Sequence, residues 1–325
     1  IHELEKLGLL DRAIEFLPND KQLADLKIAG KGLTRPELAV LLSYSKMARY
    51  KSLLDSNLPD DEYFLNDLKK YFPKAMRAEF LSSIVNHQLK REIIATVITN
   101  DIVNYAGTTF TFNMALDLSV SMRDVTAAYV IVRDLFNLPE MWKKIDAQMD
   151  TAAQMESIFA IQKFVERSIF WLLRNMRLPL NISEIIKDFA PEIKKMNGDL
   201  EQLSSVFDII YIARQTKKTV ADVSSIYKEI GDKLHLDWLR HCSQNLNMDS
   251  YFDRLAAQAM LGDLYDEQRR LTAVNIVSGG GFEDWQKTQE EAFVRFENFI
   301  AESKATENIN LAKLMVALRY LRIFV

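Results

Sequence analysis

The sequence is poor in residues that break helices. Its 325 residues include only 10 Gly and 7 Pro, roughly 3% and 2% against average usages of about 7% and 5%. So few breakers in so long a chain exclude a collagen-like or loop-rich polypeptide. A single cysteine, Cys242, excludes an internal disulfide framework and makes a reducing compartment the simpler reading. No apolar run approaches the roughly 18 residues that a membrane span requires, and the opening Ile1-His2-Glu3-Leu4 has no secretory apolar core. Neither sign of charge dominates, with 41 Lys and Arg against 45 Asp and Glu and a formal net charge of −4. That balance supplies no generic attraction for nucleic acid or an acidic membrane. A soluble, cytoplasmic chain with neither of those partners is expected. It starts at Ile1 rather than Met, which suggests a piece of a longer polypeptide.

What is present is a hydrophobic content of 48%, enough for about two domains with cores of their own. Ile158, Ile161, Val165, Ile169, Leu172 and Met176 recur at three- and four-residue steps, which keeps them on one helix face over five turns. No comparable period-two run of Val, Ile and Thr occurs. The expected fold is all-α, a multi-helix bundle array with no β-sheet and no Rossmann domain.

Start and stop signals support that reading. Thr34-Arg35-Pro36-Glu37 has the form of a capping box with proline in the first turn, where amides lack partners. Leu38, Leu41, Leu42 and Ala48 then give its helix an apolar stripe that needs a partner surface. Ser121 to Asp124 and Thr219 to Asp222 are weaker caps with a shorter acid. Gly107, after Asn104, suits a left-handed helix end. Ser278-Gly279-Gly280-Gly281 reads as a loop between helices at roughly 249–277 and 282–303. All seven prolines lie at or before Pro191, so a hinge is expected between Leu178 and Pro191. It would separate an N-terminal helical subdomain, 1–180, from a C-terminal long-helix subdomain, 181–325. No repeat of fixed period is found.

The chemistry-bearing residues are sparse. A dinucleotide site needs glycines in a strand-to-helix turn with GxGxxG spacing, and the 278–281 loop has helical sequence before it and the wrong spacing. Four histidines, at 2, 87, 235 and 241, are few for a metal centre, and their densest cluster is Asp232, His235, Asp237, His241 and Cys242. On one helix, His235 and Cys242 would lie about 10.5 Å apart along the axis, too far to share one ion. Asp237 and His241, four apart, could pair. Asp60-Asp61-Glu62 suits a helix start. Cys242 beside His241 does not make a catalytic dyad, because adjacent helical side chains diverge by about 100°. The segment from His87 through Lys90, Arg91 and Thr96 to Asn100 and Asn104 places polar groups beside Ile94, Ala95 and Ile98. These either cap and pack internally or form a polar seam against another domain.

Several strings together resemble the C-terminal region of the large NAD-dependent glutamate dehydrogenases. They are Leu10-Asp11-Arg12-Ala13-Ile14-Glu15-Phe16-Leu17-Pro18 and Gly32-Leu33-Thr34-Arg35-Pro36-Glu37-Leu38-Ala39-Val40 continuing to Lys46, then Tyr71-Phe72-Pro73 and His87 to Thr96. Asn104 with Gly107, Phe136-Asn137-Leu138-Pro139 with Trp142, Trp171-Leu172-Leu173-Arg174, Asp263-Leu264-Tyr265 and Gln268-Arg269-Arg270-Leu271-Thr272 complete them. The resemblance is weaker between about 180 and 250.

It implies a parent enzyme that oxidises L-glutamate to 2-oxoglutarate and ammonia with NAD, its catalytic and NAD-contacting groups lying upstream of this region. No catalytic, cofactor-binding or metal-ligating residue is therefore carried onto any position here. The implied partners are the chain's own upstream catalytic domain and other copies in a homo-oligomer, with a role in assembly or regulation. A free-standing helical scaffold for protein partners is the alternative, and a helical metalloenzyme a third reading. The last helix, through Leu311, Leu314, Met315, Leu318 and Leu321, either packs within this domain or contacts the dehydrogenase domain or a neighbouring subunit.

Overall fold

A computed structural model describes residues 1–148, 150–196, 203–246, 251–306 and 309–325. Among these residues there are nineteen α-helices and no strand, the all-α architecture expected. The chain forms two compact units, Ile1–Pro191 and Glu192–Val325.

The first unit contains α1 (His2–Lys6), α2 (Asp20–Ile28), α3 (Arg35–Leu54), α4 (Leu65–Tyr71), α5 (Lys74–Glu79), α6 (Leu81–Val85), α7 (Lys90–Tyr105), α8 (Phe110–Leu118), α9 (Met122–Leu135), α10 (Leu138–Asp146) and α11 (Thr151–Asn175). Helix α12 (Ile182–Ile193) carries Pro191 inside it and runs across the division between the units. Its centre is α9, on which every residue from Asp124 to Arg133 is buried. Ala127 and Ala128 have no bulk to hold neighbours off, and α3, α8, α10 and α11 all pack on this helix. Helix α7 lies along α3 with Ile94, Ala95, Ile98 and Ile102 buried. The periodic stripe of α11 is buried at Ile161, Val165, Ile169 and Leu172, and the helix ends at Asn175, just before Met176.

The caps form much as their sequences suggest. Thr34 donates both its backbone N–H (2.6 Å) and its hydroxyl (2.7 Å) to Glu37 Oε2, which reaches back across the first turn of α3. Ser121 Oγ accepts the Asp124 amide at 3.1 Å. Gly107 follows α7 at φ +106°, with its amide on the Ile102 carbonyl at 3.2 Å.

The second unit contains α13 (Val206–Thr216), α14 (Val220–Lys233), α15 (Leu236–Gln244), α16 (Tyr251–Ser278), α17 (Gly281–Thr288), α18 (Glu290–Ala305) and α19 (Leu311–Ile323). Thr219 Oγ1 caps α14 by accepting the Asp222 amide at 3.1 Å. The long helix expected from 249 is present from Tyr251, and residues 249 and 250 lie outside those described. It packs against α13, α14, α15, α17 and α19.

Three consecutive residues on α16 face three directions, as the 100° step of a helix requires. Gln268 Nε2 donates to the Tyr227 carbonyl of α14 at 2.7 Å, while its Oε1 accepts from Arg240 of α15 at 2.7 Å. Arg269 reaches buried Asp208 of α13 at 3.1 Å. Arg270 donates at 2.9 Å to each of the Leu321 and Phe324 carbonyls at the end of α19, where the first also accepts the Phe324 amide at 3.3 Å. Gly231 makes room for this hub, since a Cβ there would stand 2.6 Å from Gln268 Nε2.

One expected helix divides. Residues 282–303 do not run continuously, because the chain turns at Gln289 between α17 and α18. The turn folds Trp285 and Phe293 together around Phe324. The ring centroids of Phe293 and Phe324 stack at 4.3 Å, and Trp285 meets Phe293 edge-on at 5.3 Å. Gln289 is held by both sides of its amide, which bond the Val325 carbonyl at 2.6 Å and the Val325 amide at 2.8 Å. Packing within the unit covers Leu314, Leu318 and Leu321 of the α19 stripe, while Met315 is exposed.

Replacing Phe296, fully buried among these rings, with Ala should cost about 3–5 kcal/mol in urea-unfolding measurements, whereas Met315→Ala should stay within about 0.5 kcal/mol of the parent. Gln268→Ala should cost about 1–3 kcal/mol in the same assay, because it removes the second bond on the Tyr227 carbonyl and leaves one Arg240 N–H without its partner in a buried place.

Candidate functional site

The residues singled out for metal chemistry are dispersed. His235 sits at φ +51° before α15, with Nε2 3.3 Å from Glu297 and Nδ1 3.3 Å from Lys304. Asp237 pairs with Arg240 at 2.6 Å rather than with His241, whose Nε2 instead lies 3.1 Å from Asn245. Arg240 is buried while the Asp237 it holds stays exposed, and its guanidinium also covers the Tyr265 ring at 4.4 Å. Partial burial pushes the Cys242 thiol above its ordinary range. Among the described residues no three His, Cys, Asp or Glu side chains come together as metal ligands.

The glycine turn does not fit a dinucleotide. Gly279 and Gly280 join the end of α16 directly to α17. A pyrophosphate needs open amides at a helix N-terminus, but Glu283 and Asp284 occupy the first turn of α17. A Cβ placed on Gly280 would lie 2.8 Å from that of Asp284. The close approach that glycine permits here is to an acid, which repels phosphate.

The polar segment beginning at His87 is largely spent inside the first unit. His87 Nδ1 accepts the Leu89 amide at 3.1 Å. Arg91 pairs with Asp60 and donates to the Leu54 and Ser56 carbonyls at 2.8 and 3.0 Å. That ties the start of α7 to the end of α3. Asp61 caps the turn that follows it by accepting the Tyr63 amide at 2.9 Å.

The other end of the segment opens onto a cleft of about 840 Å³ formed by α4, α7, the end of α9 and α10. At its base is Arg133, whose side chain is almost wholly buried. Three carboxylates surround it: Asp134 at 2.7 Å, Asp67 of α4 at 2.9 Å and Asp101 of α7 at 3.4 Å. Tyr63 donates to Asp134 at 2.5 Å, and burial together with that carboxylate pushes its phenol well above the ordinary range. Burial likewise raises Asp101, against the opposing pull of Arg133. The arginine counters the burial that would weaken it by holding three acids, and its own ionisation is driven upward. Lys70, Lys143, Asn66, Asn104 and Asn137 complete the walls. Chemically this is a charge-saturated brace: the guanidinium has committed its donors to three helices, and the cleft above it is polar.

The sequence gives no local motif for this group, since Asp67 and Arg133 are 66 residues apart. The available signal is the apolar run Val125 to Val132, immediately followed by Arg133-Asp134. A charged pair closing a helix buried on all sides needs partners from elsewhere in the chain.

Comparison with known proteins gives this architecture a family. The profile described as "Glutamate dehydrogenase, C-terminal" matches residues 30–204 and 197–323. The chain belongs to the glutamate dehydrogenase C-terminal family. It is 32% identical, over 98% of its length, to the NAD-specific glutamate dehydrogenase of Pseudomonas aeruginosa, and 28% identical, over 93%, to that of Halomonas elongata. The enzyme of the same name from Mycobacterium tuberculosis is 28% identical over 96% of the chain. In each case the chain spans 22% of the relative's length. Several residues that carry the sequence resemblance to these dehydrogenases meet in space: Tyr71, Asn104, Asn137 and Pro139 all line the cleft, and Trp142 stacks on Tyr105 at its edge, 5.1 Å between centroids.

In this glutamate dehydrogenase region, Arg133→Met should destabilise the fold by about 3–5 kcal/mol at neutral pH, because three buried or half-buried carboxylates lose their common partner. Asp101 carries a pH signature. Its folded-state pKa is raised, so the stability it contributes is present below the unfolded aspartate range and is lost as pH rises through the raised value. Asp101→Asn removes that dependence. The difference in urea midpoint, variant minus parent, should move in favour of the variant between pH 3.5 and pH 7, and a constant difference would contradict the burial.

Proposed function

We propose that this chain is the non-catalytic, all-helical C-terminal domain of a large NAD-dependent glutamate dehydrogenase. In this reading the parent enzyme converts L-glutamate, NAD⁺ and water to 2-oxoglutarate, ammonium and NADH in the cytoplasm. The domain packs on the parent's own catalytic portion and contributes to assembly or regulation of a homo-oligomer.

The observation that carries this reading is the family match over nearly the whole chain, joined to relatives named as NAD-specific glutamate dehydrogenases that are several times longer. The described helices support the division of labour. The glycine turn fits two abutting helices and not a pyrophosphate, and the Arg133 group spends four of its guanidinium hydrogen bonds on carboxylates that tie three helices together. Hydride transfer from an amino acid needs a base, an oriented Cα–H and a nicotinamide held within reach, and the proposal assigns all three to the polypeptide upstream.

NADH formation followed at 340 nm separates the parts. The full-length enzyme should reduce NAD with L-glutamate, residues 1–325 alone should not, and deleting this region from the full-length chain should alter its assembly state by light scattering or its turnover. Glutamate-dependent NADH from residues 1–325 alone would refute the assignment, and so would a deleted enzyme unchanged in both size and activity.

A further inference from the structure

The first 48 residues differ from the rest of their unit. Only Leu10, Leu17 and Pro18 among them are buried. Their order comes from polar ties. Arg12 bonds Glu5 at 2.6 Å through each of two nitrogens and Asp20 at 2.6 Å, and Tyr44 donates to Glu15 at 2.6 Å. Meanwhile Phe16 is 90% exposed, Ile28 85% and Ile14 69%. On α3, Leu38 and Leu42 stand four residues apart and therefore on one flank, and both are exposed, as is Met47. The apolar stripe that the sequence gives to this helix is thus only partly covered inside the unit.

Ordering a backbone costs conformational entropy at every residue, and three buried side chains are a small return for 48 residues. Exposed ion pairs add little, because water screens them. Scattered apolar residues on a surface are ordinary, but several large ones on one weakly cored segment mark an interaction surface. The segment's charge indicates what kind. Its seven acidic and seven basic residues cancel, which fits neither a phosphate backbone nor an anionic bilayer and suits an apolar protein face.

We infer that the exposed apolar side chains of this segment, Ile14, Phe16, Ile28, Leu38 and Leu42, seat the polypeptide that precedes Ile1 in the full-length enzyme. This rests on the proposal above that the chain is the C-terminal part of a longer dehydrogenase, and it names the face through which that part docks. Two observations favour this occupant over a second copy of the chain. The relatives carry nearly four-fifths of their length outside the matched region, and the family is a C-terminal one, so in them that length leads directly into this segment. A tethered partner is present at an effective concentration that a free copy does not reach.

The test uses the full-length enzyme with p-benzoylphenylalanine in place of Phe16, a bulky aromatic replacing an exposed one, followed by irradiation and peptide mapping. Cross-links to peptides that precede residue 1 are expected. Cross-links confined to residues 1–325 of another copy, links to lipid, or no protein cross-link would each overturn the inference. A second readout is independent of the first. Leu38→Cys in the native full-length enzyme should react with a polar maleimide at least tenfold more slowly than the same cysteine in the urea-unfolded chain. Reaction at the unfolded rate counts against cover of any kind. Glutamate-dependent NADH formation by the same preparations reports on the proposed function separately. An active enzyme without upstream cross-links refutes the docking face alone, and an inactive one with them refutes only the activity assigned to the parent.

Discussion

The second unit depends on the side chains of Gln268, Arg269 and Arg270, projected in three directions from one helix. Helix α16 is 28 residues long, and at its middle it meets α13, α14, α15 and α19. A helix with neighbours on most sides has few positions left for polar groups, and each must be matched when it is buried. The amide of Gln268 accepts on one side and donates on the other, which spans α14 and α15. Arg269 neutralises a buried aspartate. Arg270 takes two carbonyls at the end of α19, and so holds the strap that places Phe324 among Trp285, Phe293 and Phe296. Apolar contact supplies most of the attraction, but these directed bonds select one arrangement of helices from the many that would bury similar area.

The first unit solves the same problem at the end of α9. That helix is buried throughout from Asp124 to Arg133, and its last buried residue is an arginine. Collecting Asp67, Asp101 and Asp134 on one guanidinium joins α4 and α7 to α9. A buried arginine with several acids is costly to desolvate, and its value lies in geometry: a planar fork accepts partners only from certain directions. The surplus of carboxylate over guanidinium is relieved by burial pushing Asp101 toward its protonated form and by Tyr63 donating to Asp134.

Both hubs spend their charged groups internally, which bears on function. A catalytic site holds groups whose hydrogen bonds are left open for a substrate or transition state. In these two clusters the donors are committed to neighbouring helices. Residues 1–48 present the opposite condition, with apolar side chains that lack internal cover.

Much of the fold was legible in the chain. Scarce glycine and proline, the three- and four-residue spacing through α11, and the caps at Thr34, Ser121 and Thr219 concern groups within a turn or two of one another, and local sterics and hydrogen bonding decide them. The break at Gln289 was not legible, because nothing near it marks a stop; it is imposed by Val325, 36 residues away, through both halves of the Gln289 amide. Asp237 likewise went to Arg240 and not to His241 because a buried cation outweighs an exposed imidazole. The Arg133 cluster lies further still from any local signal, its members brought together by the packing of three helices. By itself the sequence determined helix type, many helix ends and family resemblance, all set by short-range periodicity and residue identity. Only the tertiary structure decided which acid meets which arginine and which apolar stripe stays uncovered, because both depend on the relative placement of helices distant in the chain.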